Sequence, residues 1–240
     1  MKIKLVLLLL VLIVISGCAK NISGGEPVKN ITEKKVQLEN SIDVSLRTQD
    51  SKLIKARFFP NSVSKKGVVL IHQFSLDKSS WDEWAKTFQK THNVLAIDLR
   101  GHGESSDNYT EFEEKDFLAM KNDVKAAEAF LLRKGLTKDS ISYVGASIGA
   151  NTVQNFVAIN EHAKSVLLSP GKIYKGIPLT MQDTSSLVIV SKEDTYSFES
   201  VKELEKISPN STFVYLENRG HGTNMLDEEL VEQIHNFLNE

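Results

Sequence analysis

Short apolar runs rich in β-branched residues alternate along this chain with stretches of helical periodicity, and that alternation narrows the fold more than any other feature. The runs are Gly67–His72, Val94–Asp98, Ile141–Val144, Val166–Ser169, Leu187–Val190 and Thr212–Leu216. Near-continuous apolar strands suit a parallel sheet buried on both faces, with the intervening helices as the covering layers. Apolar positions between them recur at helical spacing: Trp81/Trp84/Ala85/Phe88, Phe117/Val124/Ala127/Phe130/Leu131, Ile148 to Ile159, Val201/Leu204/Ile207 and Leu226/Leu230/Ile234/Phe237. Ahead of this series, Ile42-Asp43-Val44-Ser45-Leu46 alternates as a half-buried strand and Leu53 to Phe59 follows a polar turn, which predicts an antiparallel hairpin on one edge. The expected fold is α/β, a mostly parallel central sheet with helices on both faces.

Ligands of such sheets bind beyond the carboxyl ends of the strands. There the sequence puts His72-Gln73-Phe74, then Asp98-Leu99-Arg100-Gly101-His102-Gly103, then Ser147, then Glu193-Asp194, and last Gly220-His221-Gly222. Ser147 is the centre of Gly145-Ala146-Ser147-Ile148-Gly149, set between a strand and a helix, where glycines let the two elements approach closely. A serine hydroxyl becomes a nucleophile when a base takes its proton. His221 is the candidate base and Asp194 the candidate partner that fixes its tautomer. Singly, an aspartate after a strand reads as a helix cap and a Gly-His-Gly loop as a turn. Together, in the order Ser, Asp, His at three strand ends, they read as a triad.

From about Ile42 onward the chain resembles the α/β-hydrolase superfamily. The carriers are the Gly-x-Ser-x-Gly turn at Ser147, the strand ending at His72, the run Asp98-Leu99-Arg100-Gly101-His102-Gly103-Glu104-Ser105, the late Gly220-His221, and Trp81. The resemblance makes the Asp98–Ser105 run a structural loop beside the site, so His102 is a poor candidate base. It implies an oxyanion hole made by the backbone N–H groups of Ile148 and Phe74. It favours Asp194 over the adjacent Glu193 as the acid, since relatives carry Asp there, and it leaves His72 as a packed support of its loop. The resemblance has one departure: most relatives have Gly after this histidine, and here the residue is Gln73.

Many relatives insert a large helical cap where this chain has only Gly171 to Ser186, expected to be a long loop. The cap is therefore minimal and the site open, with Ile173, Tyr174, Ile177, Leu179 and Met181 as candidate substrate contacts. Hydrolysis of a small-molecule carboxylic ester or thioester through an acyl-enzyme fits this arrangement, with no metal and no organic cofactor implied. Acyl transfer or peptidase activity on the same triad, and a non-catalytic binding protein on the same fold, are the alternatives.

Lys2 and Lys4 precede an apolar run from Leu5 to Ile15, too short for a comfortable membrane span and built like a secretory signal. It ends in Ile15-Ser16-Gly17-Cys18, which resembles the prokaryotic lipobox and implies cleavage before a lipid-bearing Cys18. Cys18 is the one cysteine of the 240 residues, which rules out an intrachain disulfide and a cysteine metal site. The expected organisation is a signal peptide over 1–17, a polar tether over 18–40 and a hydrolase domain over 41–240, held outside the cytoplasm on a membrane. A net charge of −2 without a basic stripe speaks against nucleic acid as a partner.

Overall fold

A computed structural model describes residues 40–158, 164–179 and 185–240. The expected signal peptide, Cys18, all but the last residue of the expected tether, and Met181 lie outside the described residues. The strands are β1 (Ile42–Arg47), β2 (Leu53–Phe59), β3 (Gly67–Ile71), β4 (Asn93–Ile97), β5 (Ile141–Ala146), β6 (Ser165–Leu168), β7 (Ile173–Tyr174), β8 (Ile177–Pro178), β9 (Ser186–Ser191) and β10 (Thr212–Leu216). The α-helices are α1 (Asp82–Gln89), α2 (Glu114–Leu118), α3 (Lys121–Arg133), α4 (Ile148–Val157), α5 (Thr195–Glu205) and α6 (Glu228–Asn239).

Eight strands form one sheet in the order β1-β2-β4-β3-β5-β6-β9-β10. The β1–β2 hairpin is antiparallel and joins β4 antiparallel, while every pairing from β4 to β10 is parallel. All six parallel strands therefore end at the same edge. Side chains alternate between two cores, as a strand's twofold period requires. Val69 and Ile71 face the layer of α2, α3, α4 and α5, and Val68 and Leu70 face that of α1 and α6. This is an α/β sheet covered on both faces, as the apolar runs require.

Three details depart from the sequence expectation. The helical pattern from Phe117 to Leu131 is broken at Ala119–Met120, giving α2 and α3. The break lets Phe117 pack beside Phe74 and Phe112 while Asp123, in the first turn of α3, meets Arg100. The stretch after Gly171 is not a plain loop: β7 and β8 pair as a hairpin around Lys175 (φ 49°) and Gly176 (φ 82°). Positive φ at both central residues is the backbone of the tight turn that matches strand twist. Ile207 lies beyond α5 and is 60% exposed, so it does not extend that helix's apolar stripe.

The loop after β4 is braced from both sides. The buried Arg100 guanidinium donates to both Asp123 oxygens and to Asp50, tying the first hairpin to α3. Burial pushes the Asp123 carboxyl up to about 6 even though Arg100 pulls it down. Removing one partner would strand a buried charge, which makes the cluster a rigid foundation for the loops above it.

Candidate active site

β5 passes into α4 with no intervening loop, and Ser147 alone turns the corner at φ 54° and ψ −118°. That positive φ costs a non-glycine residue about 1–3 kcal/mol, held in place by its surroundings. Ser147 N–H donates to Leu168 O on β6 at 2.8 Å, and Ser147 O accepts the first helical bond from Asn151 N–H at 3.1 Å. The glycines on either side are sterically required. A Cβ on Gly145 would stand 2.5 Å from Gly149 C and 2.7 Å from Ala150 N; one on Gly149 would stand 2.6 Å from His72 O and 2.7 Å from Ile71 O. These are backbone atoms and cannot give way.

Asp194 is the N-cap residue of α5, and its Oδ2 meets His221 Nδ1 at 2.6 Å. Burial pushes the Asp194 carboxyl up, but hydrogen bonding and charge from His221, helped by Ser197 and Ser169, hold it below the usual carboxylate value. It is thus an ionised acceptor for the imidazole. Glu193, the alternative acid, does something else. Its Oε1 accepts Gly220 N–H at 2.6 Å, and its Oε2 accepts Asn218 N–H at 2.8 Å and the Ser191 hydroxyl at 2.6 Å. The Ser191 hydroxyl and the Gly220 amide hold the Glu193 carboxyl down at about 2.

The histidine loop is held almost wholly by side chains. Arg219 N–H donates to Ser191 Oγ at 3.0 Å, Gly222 N–H to Ser169 Oγ at 3.0 Å and Thr223 N–H to Gln73 Oε1 at 2.8 Å, besides the two amides on Glu193. Sequence reasoning missed Ser169, Ser191 and Glu193 in this role. Their only signal was position: each lies at or just past the end of β6 or β9.

Across the site, His72 is fully buried after β3. Its Nε2 accepts Leu99 N–H at 3.0 Å, so Nδ1 carries the proton and donates to Gln73 O at 2.8 Å. Burial pushes the His72 imidazole down to about 4, so this tautomer persists through neutral pH. Leu76 N–H also reaches Gln73 O, at 3.2 Å. The carbonyl of residue 73 and the N–H of Phe74 belong to one planar trans peptide and point opposite ways, so fixing the first aims the second. Among the described residues neither Phe74 N–H nor Ile148 N–H donates to a protein acceptor. His102 is buried too; its Nδ1 lies 3.0 Å from Arg100 O and its ring stacks on Tyr109.

The short hairpin covers the site from one side. Asn151 on α4, fully buried, donates to Gly171 O at 2.7 Å and Ile177 O at 3.0 Å and accepts Gly171 N–H at 3.1 Å. Tyr174 is thereby placed edge-on to His221, ring centroids 6.3 Å apart, with its hydroxyl 2.9 Å from Ser197 Oγ. Burial pushes the Tyr174 phenol up, against the pull of Ser197 and of Ser147. No hydrogen bond joins Ser147 Oγ to His221 among the described residues; the phenol borders both. Of the other expected contacts, Ile177 is buried in the core against α4, since β8 packs on that helix, and Ile173 is 53% exposed. Leu179 packs on the edge of the same core.

Residues 67–190 match the family model described as alpha/beta hydrolase fold. Among solved structures, an esterase of Pyrococcus furiosus superposes with a TM-score of 0.68 at 19% identity, covering 93% of this chain and 98% of that one. An esterase of Rhodococcus superposes with a TM-score of 0.67 at 18% identity, covering 82% of this chain and 98% of that one. A Xenopus laevis protein named monoacylglycerol lipase abhd6-B is 27% identical over 95 residues, 40% of this chain. The match spans 27% of that protein's length.

Proposed function

The chain belongs to the α/β-hydrolase fold family, and on that premise we propose that it is a serine hydrolase of carboxylic esters or thioesters. The observation that carries the reading is the 2.6 Å contact of His221 Nδ1 with an ionised Asp194, at the sheet edge where Ser147 is held at positive φ. Ser147 Oγ attacks the carbonyl carbon while His221 Nε2 takes its proton. Asp194 keeps the other ring nitrogen protonated and stabilises the imidazolium. The Phe74 and Ile148 N–H groups, left without protein acceptors, receive the developing oxyanion. Collapse of the tetrahedral adduct expels the alcohol or thiol with the proton from His221. Water then repeats the sequence on the acyl-enzyme and regenerates Ser147. The Ser147–His221 contact closes as substrate enters beside Tyr174, since catalytic hydrogen bonds are often long before substrate binds. The esterase and lipase names of similar proteins support an ester substrate for this chain as well.

The test is a panel of p-nitrophenyl esters of increasing acyl length, with and without Ser147→Ala. Turnover by the native chain and a loss of about 10⁶-fold in the variant are expected. Retained turnover in the variant removes Ser147 from the mechanism. Added alcohol or amine acceptors separate hydrolysis from acyl transfer, and no turnover of any ester supports a binding role.

The membrane tether is part of the proposal and rests on residues 1–18 of the sequence alone: a cleaved signal peptide, lipid on Cys18 and an extracytoplasmic domain. Cys18→Ser should move the protein from the membrane to the soluble fraction or leave the leader uncleaved.

A further inference from the structure

We propose that Gln73 is a positioning residue that locks the oxyanion loop to the histidine loop, so that the two halves of the site hold one geometry. The inference rests on the reading of Ser147, His221 and the Phe74 amide given above.

Gln73 lies in the loop just past β3, and its side chain reaches the histidine loop. Oε1 accepts Thr223 N–H at 2.8 Å and the Thr223 hydroxyl at 3.2 Å, across 150 residues of chain. The amide orientation is forced, because a backbone N–H only donates and must face the oxygen. Gly222 lies beneath, at φ 60°; a Cβ there would overlap Gln73 Oε1 and come within 2.9 Å of Gln73 Cδ. The loop is therefore glycine at the point where the glutamine arrives.

Both ends of residue 73 carry a constraint. Its carbonyl is held by His72 Nδ1–H and Leu76 N–H, which aims Phe74 N–H. Its side chain holds Thr223, two residues past His221. Among the described residues, the other acceptors for amides of this loop come from β9 or from just past the ends of β6 and β9: Ser191, Ser169 and Glu193. Gln73 alone reaches it from the oxyanion side. A glycine at 73 would leave Thr223 N–H, in a residue only 9% exposed, without its acceptor. A buried donor stranded in this way is costly, so the loop would shift to find another partner and carry His221 with it.

The experiment compares the native chain with Gln73→Met, which keeps length and loses the acceptor, Gln73→Gly, which removes the side chain, and Gln73→Glu, which keeps the acceptor and adds charge. Each is measured for kcat and KM on p-nitrophenyl butyrate from pH 5 to 9, for fluorophosphonate labelling rate, and for hydrogen exchange at the Thr223 amide. Gln73→Met and Gln73→Gly should lower kcat and labelling rate by about 10-fold with KM nearly unchanged, the effect of one lost buried hydrogen bond. Exchange at Thr223 should speed up in both. Gln73→Glu should recover most of kcat and move the acid limb of the profile to higher pH, because a new negative charge near His221 favours the imidazolium.

Native kcat, labelling and Thr223 exchange in both Gln73→Met and Gln73→Gly would overturn the proposal, as would a Gln73→Glu variant no better than Gln73→Met. If Gln73→Met and Gln73→Gly fail to fold, Thr223 exchange in Gln73→Glu decides: slower exchange, as a charged acceptor on that amide gives, supports the lock, and unchanged or faster exchange overturns it. If the native chain neither hydrolyses esters nor takes the label, the hydrolase reading fails. Thr223 exchange still tests the lock by itself.

Discussion

The serine turn and the histidine loop are two corners of one sheet edge, and they are held by opposite means. At Gly145–Gly149 the constraint is backbone against backbone: a strained φ at Ser147, two positions with no room for a Cβ, and amide bonds to β6 and within α4. At Asn218–Thr223 the backbone is held by side chains, with five amides donating to Glu193, Ser191, Ser169 and Gln73. Ser147 is thus built into the backbone of the fold itself, while His221 sits on a loop clamped by side chains.

If that contrast is right, damage to the turn should destroy the fold and damage to the loop should slow the reaction in a folded protein. Of the changes around the histidine loop, the largest effect is expected at Asp194, which meets His221 Nδ1. Asp194→Asn should lower kcat by about 10⁴-fold, by presenting the wrong hydrogen-bond partner to His221 Nδ1, with the melting temperature nearly unchanged. Loss of fold instead would make Asp194 chiefly a cap of α5. Next, Gly149→Ala should cost about 3 kcal/mol or more in denaturant unfolding, because its Cβ meets the carbonyls of Ile71 and His72. A stable, fully active Gly149→Ala would show that the turn has slack.

Glu193→Gln should be milder than Asp194→Asn. It keeps acceptor oxygens but weakens charge-assisted bonds to Gly220 and Asn218, and about 10-fold in kcat is expected. An effect as large as that of Asp194→Asn would mean that Glu193 also serves the imidazole. The smallest effect is one of pH. The Glu193 carboxyl is held at about 2 in the folded protein against an ordinary value of 4.5. A depressed folded value means that its contribution is complete above about 4.5 and disappears as pH falls toward 2. Hydrogen exchange at the Gly220 amide, corrected for its intrinsic rate, should lose protection across that window and do so less in Glu193→Gln.

The same contrast explains what could be read from the chain. The sheet was legible because each strand is a local apolar run, and Thr212–Leu216 forms over the expected residues. The serine turn was legible because its constraint is local too: glycines two residues either side of one serine. The clamps were not, because Gln73 and Thr223, or Glu193 and Gly220, acquire meaning only once distant strand ends meet. The resemblance favours Asp194 over Glu193 from sequence, but what Glu193 does instead, holding the amides of Asn218 and Gly220, appears only in the fold. The hairpin at Ile173–Pro178 was missed because its strands are two residues each, too short for any period to show. Ile177 was expected toward substrate, but Asn151 draws its carbonyl onto α4 and the side chain follows into the core.

Treating the folded protein with a fluorophosphonate and locating the adduct by mass spectrometry tests whether Ser147 is an activated nucleophile. A single adduct on Ser147, lost in Ser147→Ala and slowed in Asp194→Asn, is the predicted result. No adduct, or one on another residue that survives Ser147→Ala, would contradict it.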